Sequence, residues 1–227
     1  CLATFVARFG GRAFRRPFTD EQVSRYVAQA RSLQPAEDGV RAVVATMLAS
    51  PYFLYRSELG EPAPDGTRTL TAYETASALS YLLWGTAPDA LLLEAAAGNL
   101  LATPDQRATQ VRRMLADPRA RTTLHAFTRQ WLGVESVHEA VRDTDRFPAF
   151  SPSVGAAMEE SAARFVTGVI LDDQGSFADL MQSNRAWVNA DLAPIYGVSV
   201  TGAGWQQVAV ASPARPGIVG LPAVLAA

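Results

Sequence analysis

Residues 70–85 read Leu-Thr-Ala-Tyr-Glu-Thr-Ala-Ser-Ala-Leu-Ser-Tyr-Leu-Leu-Trp-Gly, and this stretch decides the fold. Thr71 stands where a helix N-cap belongs. Glu74, three residues on, completes a capping box in which side chains and backbone amides satisfy each other's orphan groups. Ala76, Leu79, Leu82 and Leu83 recur at helical spacing and are expected to face inward, and Gly85 supplies the left-handed terminator. Just upstream, residues 50–60 read Ser-Pro-Tyr-Phe-Leu-Tyr-Arg-Ser-Glu-Leu-Gly, a proline-started aromatic segment. Both blocks are packing signatures, and neither carries a catalytic signature.

Working outward, the helical pattern continues nearly throughout. Leu2, Phe5, Val6 and Phe9 predict a first helix over about 2–14, ending before Pro17 because the residue before proline resists the α region. Thr19 and Gln22 form a second capping box, followed by Val23, Tyr26, Val27 and Ala30. A third helix runs from about Glu37 to the Ser50-Pro51 stop. Pro88 reads as a first helical position and Gly98 as a left-handed terminator. Thr103-Pro104-Asp105-Gln106, Asp117-Pro118, Ser151-Pro152, Ser176 and Asn189 mark further helix starts. The helix after Asp117 carries Leu124, Phe127 and Trp131 on one face, and Trp84 and Trp131 read as core. Only Trp205–Val210 alternates with period two. The expected fold is all-α: about nine or ten helices, with at most one short strand segment near the C-terminus. The turn-rich Gly60–Arg68 segment predicts a boundary, dividing the chain into residues 1–60, 61–200 and 201–227.

Composition narrows the chemistry. All 20 basic residues are arginine and none is lysine, which excludes Schiff-base chemistry, a P-loop lysine and lysine general bases. Net charge is −2, which favours neither nucleic acid nor an anionic membrane surface. Cysteine and histidine are limited to Cys1, His125 and His138. No internal disulfide, zinc site or covalent haem motif can be built from them, so no metal and no cofactor is expected in this chain. The longest apolar runs, such as Gly217–Ala227, fall short of the roughly 20 residues that span a bilayer, and a soluble chain is expected. Cys1 reads as buried or disulfide-paired rather than lipidated. Both ends read as internal to a longer chain.

Four blocks in order carry a resemblance: Arg8–Pro17, Ser50–Gly60, Leu70–Gly85 with Ala87-Pro-Asp89, and Trp187–Gly197. Together they resemble adjoining bacterial domain-of-unknown-function families 1595 (about residues 3–50) and 1592 (about 50–200). The segment from Arg215 to Val219 is similar to the opening of family 1588. The resemblance implies a module of a large exported multidomain protein, some members of which carry c-type cytochrome modules. It implies a signal peptide upstream of Cys1, a disulfide from Cys1 to a cysteine elsewhere, and no defined catalytic residue.

The candidate sites are therefore read from residue chemistry alone. Glu159 and Glu160 are candidate acid–base carboxylates, but Glu160 precedes Arg164 by four residues and both read as a solvated helix face. Glu58 is a third candidate acid. Tyr52, Tyr55 and Arg56 can either line a ligand pocket or pin their segment to neighbouring helices. Arg185, Asn189 and Tyr196 form a second candidate polar site, with Asn189 most simply an N-cap of 190–196 and Arg185 most simply paired with an acid. His125 and His138 share no metal-ligand spacing, and Asp143/Asp145 lack the glycine and distal glutamate of a calcium loop. The leading expectation is a non-catalytic scaffold or interaction module whose partners are neighbouring domains of the same longer protein. The alternatives are a carboxylate-dependent hydrolase acting on polysaccharide, and part of an electron-transfer assembly with its haem outside this chain.

Overall fold

A computed structural model describes residues 1–143, 145–210 and 216–227. They form two compact units, Cys1–Met114 and Leu115–Ala227. Among the described residues there are twelve α-helices and two two-stranded antiparallel sheets, so the fold is mainly helical. The helix count exceeds the nine or ten expected, because the helices Pro51–Leu54 and Pro222–Ala226, of five residues or fewer, carry too little periodicity to read.

The first unit begins with α1 (Leu2–Ala13), α2 (Asp20–Arg31), α3 (Ala36–Leu48) and the single-turn α4 (Pro51–Leu54). Val6, Phe14, Tyr26, Ala30, Val43 and Met47 form their shared core. A Cβ on Gly39 would lie 1.9 Å from the carbonyl oxygen of Ala30, so only glycine lets α3 approach α2 this closely. The segment read as a linker is instead a hairpin of β1 (Glu61–Pro62) and β2 (Arg68–Thr69) within this unit. Helices α5 (Ala72–Trp84), α6 (Ala90–Ala97) and α7 (Pro104–Leu115) follow. The Trp84 indole is buried and donates to the carbonyl of Met114 at 2.9 Å.

The capping boxes at Thr19/Gln22 and Thr71/Glu74 both form. Three readings need correction. Leu82 is 71% exposed rather than inward, since Ala76, Ser80 and Trp84 hold the buried stripe of α5. Helix α6 is capped by Asp89 and begins at Ala90, two residues beyond Pro88. The left-handed residue after it is Asn99, not Gly98, whose φ is −82°.

The second unit is built on α9 (Pro152–Thr167), which continues as a π-turn over Gly168–Asp172. Around it lie α8 (Pro118–Leu132), a 3₁₀ turn at Val137–Glu139, α10 (Phe177–Gln182), β3 (Arg185–Val188), α11 (Ala193–Tyr196), β4 (Gln206–Ala209) and α12 (Pro222–Ala226). Strand β4 matches the period-two segment. Its partner β3 was not read from the sequence, yet Ala186 and Val188 point into the core and Arg185 pairs with Ala209. Helix α9 is buried on most of its circumference, with Met158, Ala162, Phe165 and Val166 in the core. The α8 aromatics are corrected too: Trp131 is 49% exposed and stacks on exposed Phe127 at 5.8 Å. The stretch that resembles family 1588 begins at Arg215, outside the described residues.

Candidate functional site

In the first unit, the Ser50–Gly60 block is held by an arginine that sequence reasoning passed over. Arg15 follows α1 with φ 58°, a left-handed conformation that turns its side chain inward, where it is only 6% exposed. Its Nη2 donates to the carbonyls of Tyr52 at 2.7 Å and Tyr55 at 2.8 Å, and Nη1 donates to Phe53 at 3.3 Å. The guanidinium thus caps the C-terminus of α4, where unpaired carbonyls concentrate negative charge. Its only advance signal was the arginine-rich turn before Pro17.

Arg56 lies 4.8 Å from the ring centre of Tyr81 and Arg15 lies 5.8 Å from it. Glu74 reaches back from α5 to accept from the amides of Leu59 (2.9 Å) and Gly60 (3.1 Å), tying the two signature blocks together. Burial alone would raise its carboxyl. The amides of Thr71, Gly60 and Leu59 with the Thr71 hydroxyl outweigh this and hold it below the ordinary range. Tyr52, Arg56, Glu58 and Glu74 border a cavity of about 240 Å³, whereas Tyr55 is exposed outside it. Pinning and pocket lining therefore coexist at Tyr52 and Arg56.

In the second unit, the solvated-face reading of Glu159 is overturned, whereas Glu160 is partly exposed and forms the ion pair with Arg164 that its spacing suggested. The face of α9 that carries Glu159 is enclosed by the fold, and the face that carries Glu160 is only partly covered. Glu159 is 6% exposed, and its Oε1 accepts from the His138 backbone amide at 2.9 Å. The same oxygen lies 2.8 Å from His138 Nδ1. Gly155 makes this possible: a Cβ there would sit 2.6 Å from the His138 Cα. The hydrogen bond to Glu159 raises the His138 pKa, against a smaller opposing effect of desolvation. Nε2, on the outer side of a ring 41% exposed, lies 3.7 Å from Glu139.

Glu160 is gripped by Arg129 at 2.7 Å and Arg164 at 2.8 Å, with His125 Nδ1 at 4.0 Å. Burial lowers the His125 pKa, and Arg129, Arg164 and Arg121 add to that while Glu160 opposes it. Adjacent helical positions diverge, so the two carboxylates serve different partners and do not face one another across a cleft. Among the described residues, no group of three His, Cys, Asp or Glu side chains is placed to hold a metal ion. The Asp143 carboxylate accepts from the amides of Asp145 and Arg146, an ordinary turn. Cys1 is exposed and free.

Of the second polar trio, Arg185 and Tyr196 line one cavity of about 930 Å³, and Asn189 does not. Arg185 is paired with Asp173, as its chemistry suggested. Burial raises the Tyr196 phenol to about 12, with the Ser161 hydroxyl pulling the other way. Asn189 Oδ1 accepts from the Leu192 amide at 3.2 Å, which starts a turn four residues ahead of the short α11 rather than capping 190–196 directly.

Residues 70–198 match the family described as PSD4, protein of unknown function (DUF1592), and residues 1–58 match PSD5, protein of unknown function (DUF1595). The chain belongs to the DUF1592 family, whose match spans more than half of it. No curated protein and no solved structure matches. No helix of the described residues is long and apolar enough to cross a membrane.

Proposed function

We propose that this chain is a non-catalytic helical interaction module of a larger exported bacterial protein, with neighbouring domains of that protein as its partners. One observation carries the reading: the carboxylates that sequence offered for acid–base work are held by the fold or lack a facing partner. Glu159 is held by His138, and Glu160 by Arg129 and Arg164. Glu58 borders a small cavity whose other carboxylate, Glu74, already accepts from three backbone amides. A glycosidase needs two carboxyl groups facing across the scissile bond with divergent pKa values. In this reading the chain carries no cofactor of its own and contacts no nucleic acid, in keeping with its net charge of −2.

The test is reassembly. This chain and the remainder of the longer protein, expressed separately and mixed, are expected to co-elute as a one-to-one complex in size-exclusion chromatography. Interdomain surfaces of about 600–1,500 Å² support such association. Failure to co-elute, or polysaccharide turnover abolished by Glu58→Gln or Glu159→Gln, contradicts the proposal.

A further inference from the structure

We propose that the large cavity of the second unit binds an amphipathic anion, a long-chain carboxylate whose hydrocarbon body lies in the cavity and whose headgroup meets a guanidinium at its mouth. The inference stands independently of the interaction-module reading. The cavity's volume, about 930 Å³, falls in the range of small-molecule sites. Phe147, Phe150, Met158, Ile195, Leu221 and Leu225 supply its apolar wall. Water against such a wall gains nothing in hydrogen bonding, and an alkyl chain would displace it at about 25 cal/mol per Å² of apolar surface covered.

The polar lining selects the sign of the headgroup. Arg142, Arg146 and Arg185 line the cavity, and no Asp or Glu does so among the described residues. Two of the three guanidiniums are already engaged. Arg185 pairs with Asp173, while Arg142 donates to the Ala226 carbonyl and lies over the Phe150 ring. Arg146 is exposed, and no carboxylate among the described residues forms an ion pair with it. Asp145, its neighbour in sequence, forms no ion pair with it, and the Asp143 carboxylate, three residues before, accepts from backbone amides at 2.9 and 3.3 Å. A cleft whose charged side chains all carry one sign concentrates ligands of the other sign. A cation would be repelled here, and a neutral hydrophobe would leave Arg146 unused.

Isothermal titration of the full chain with dodecanoate, dodecanol and dodecyltrimethylammonium, each below its micellar concentration, tests this. Dodecanoate should bind one-to-one, about tenfold tighter than dodecanol, which is worth about 1.4 kcal/mol, with the cation weakest. Arg146→Gln should bring dodecanoate down to the affinity of dodecanol. Ile195→Trp fills the cavity from α11 and Leu225→Trp fills it from α12; whichever keeps the wild-type circular dichroism should abolish binding of all three. The proposal is overturned if dodecanoate fails to bind up to about 1 mM, if anion and cation bind equally, or if Arg146→Gln leaves the preference intact. Full binding in the correctly folded cavity-filling variants would equally overturn it, by placing the probe elsewhere.

Discussion

Arg15→Ala should destabilise the first unit by about 2–3 kcal/mol. Two of its hydrogen bonds, at 2.7 and 2.8 Å, have the short lengths of charge-assisted contacts. Such bonds contribute about 1.5 kcal/mol or more each, and part of that returns because the carbonyls of Tyr52 and Tyr55 sit on exposed residues that water can reach. The two longer contacts, at 3.2 and 3.3 Å, add little. The backbone offers an internal control. Arg15 sits at φ 58°, where a side chain costs about 1 kcal/mol that glycine avoids. Arg15→Gly should therefore be about 1 kcal/mol more stable than Arg15→Ala, and Arg15→Lys should rescue little, since an ammonium lacks the planar fork that spans these carbonyls. Urea unfolding combined with native-state amide exchange over α1–α4 measures the effect. A loss below about 0.5 kcal/mol in Arg15→Ala, or Ala and Gly variants of equal stability, would refute the capping argument.

Other outcomes follow from the same geometry. Leu92→Ala should cost about 2–5 kcal/mol because Leu92 is fully buried, whereas Leu82→Ala should stay within about 0.5 kcal/mol; urea melts of the two variants check the face assignment of α5 and α6. Gly155→Ala should lower stability by about 1–3 kcal/mol by forcing α9 away from the His138 backbone, and amide exchange at His138 should accelerate. His138 has a raised pKa in the folded state, so its stabilising contribution is complete below about pH 6.5, its unfolded value, and is lost as pH rises through the folded pKa. His125, lowered by burial, acts in the opposite sense, favouring stability above that pH. Comparing urea midpoints of wild type and Glu159→Gln from pH 5 to 9 isolates the His138 part, and the variant should lack the loss on the alkaline side.

Local chemistry was legible and tertiary placement was not. Thr19, Thr71, Ser151 and Ser176 could be read as caps because capping depends on residues within one turn. Strand β3 escaped notice because its four residues acquire strand geometry only against β4, about 20 residues later. Glu159 looked solvated because its partner His138 lies 21 residues upstream on a 3₁₀ turn with no helical period. Trp131 looked buried for the complementary reason: helical spacing names a face but not what covers it. Tyr52 and Arg56 border a small cavity while Tyr55 lies outside it, and Arg15, which holds their segment, becomes recognisable only once its left-handed backbone turns it inward.

The central claim is that the acidic residues of α9 build the fold and do not perform a reaction, and Glu160→Gln tests it most directly. Glu160 is mostly buried and bridges Arg129 and Arg164, so its neutralisation should leave two guanidiniums without their counter-charge and cost about 1–3 kcal/mol in urea unfolding. A residue retained for catalysis behaves in the opposite way, because removing it commonly relieves repulsion or strain and stabilises the protein. A clear loss of stability is the predicted result. A Glu160→Gln protein as stable as wild type, or more stable, would contradict the account.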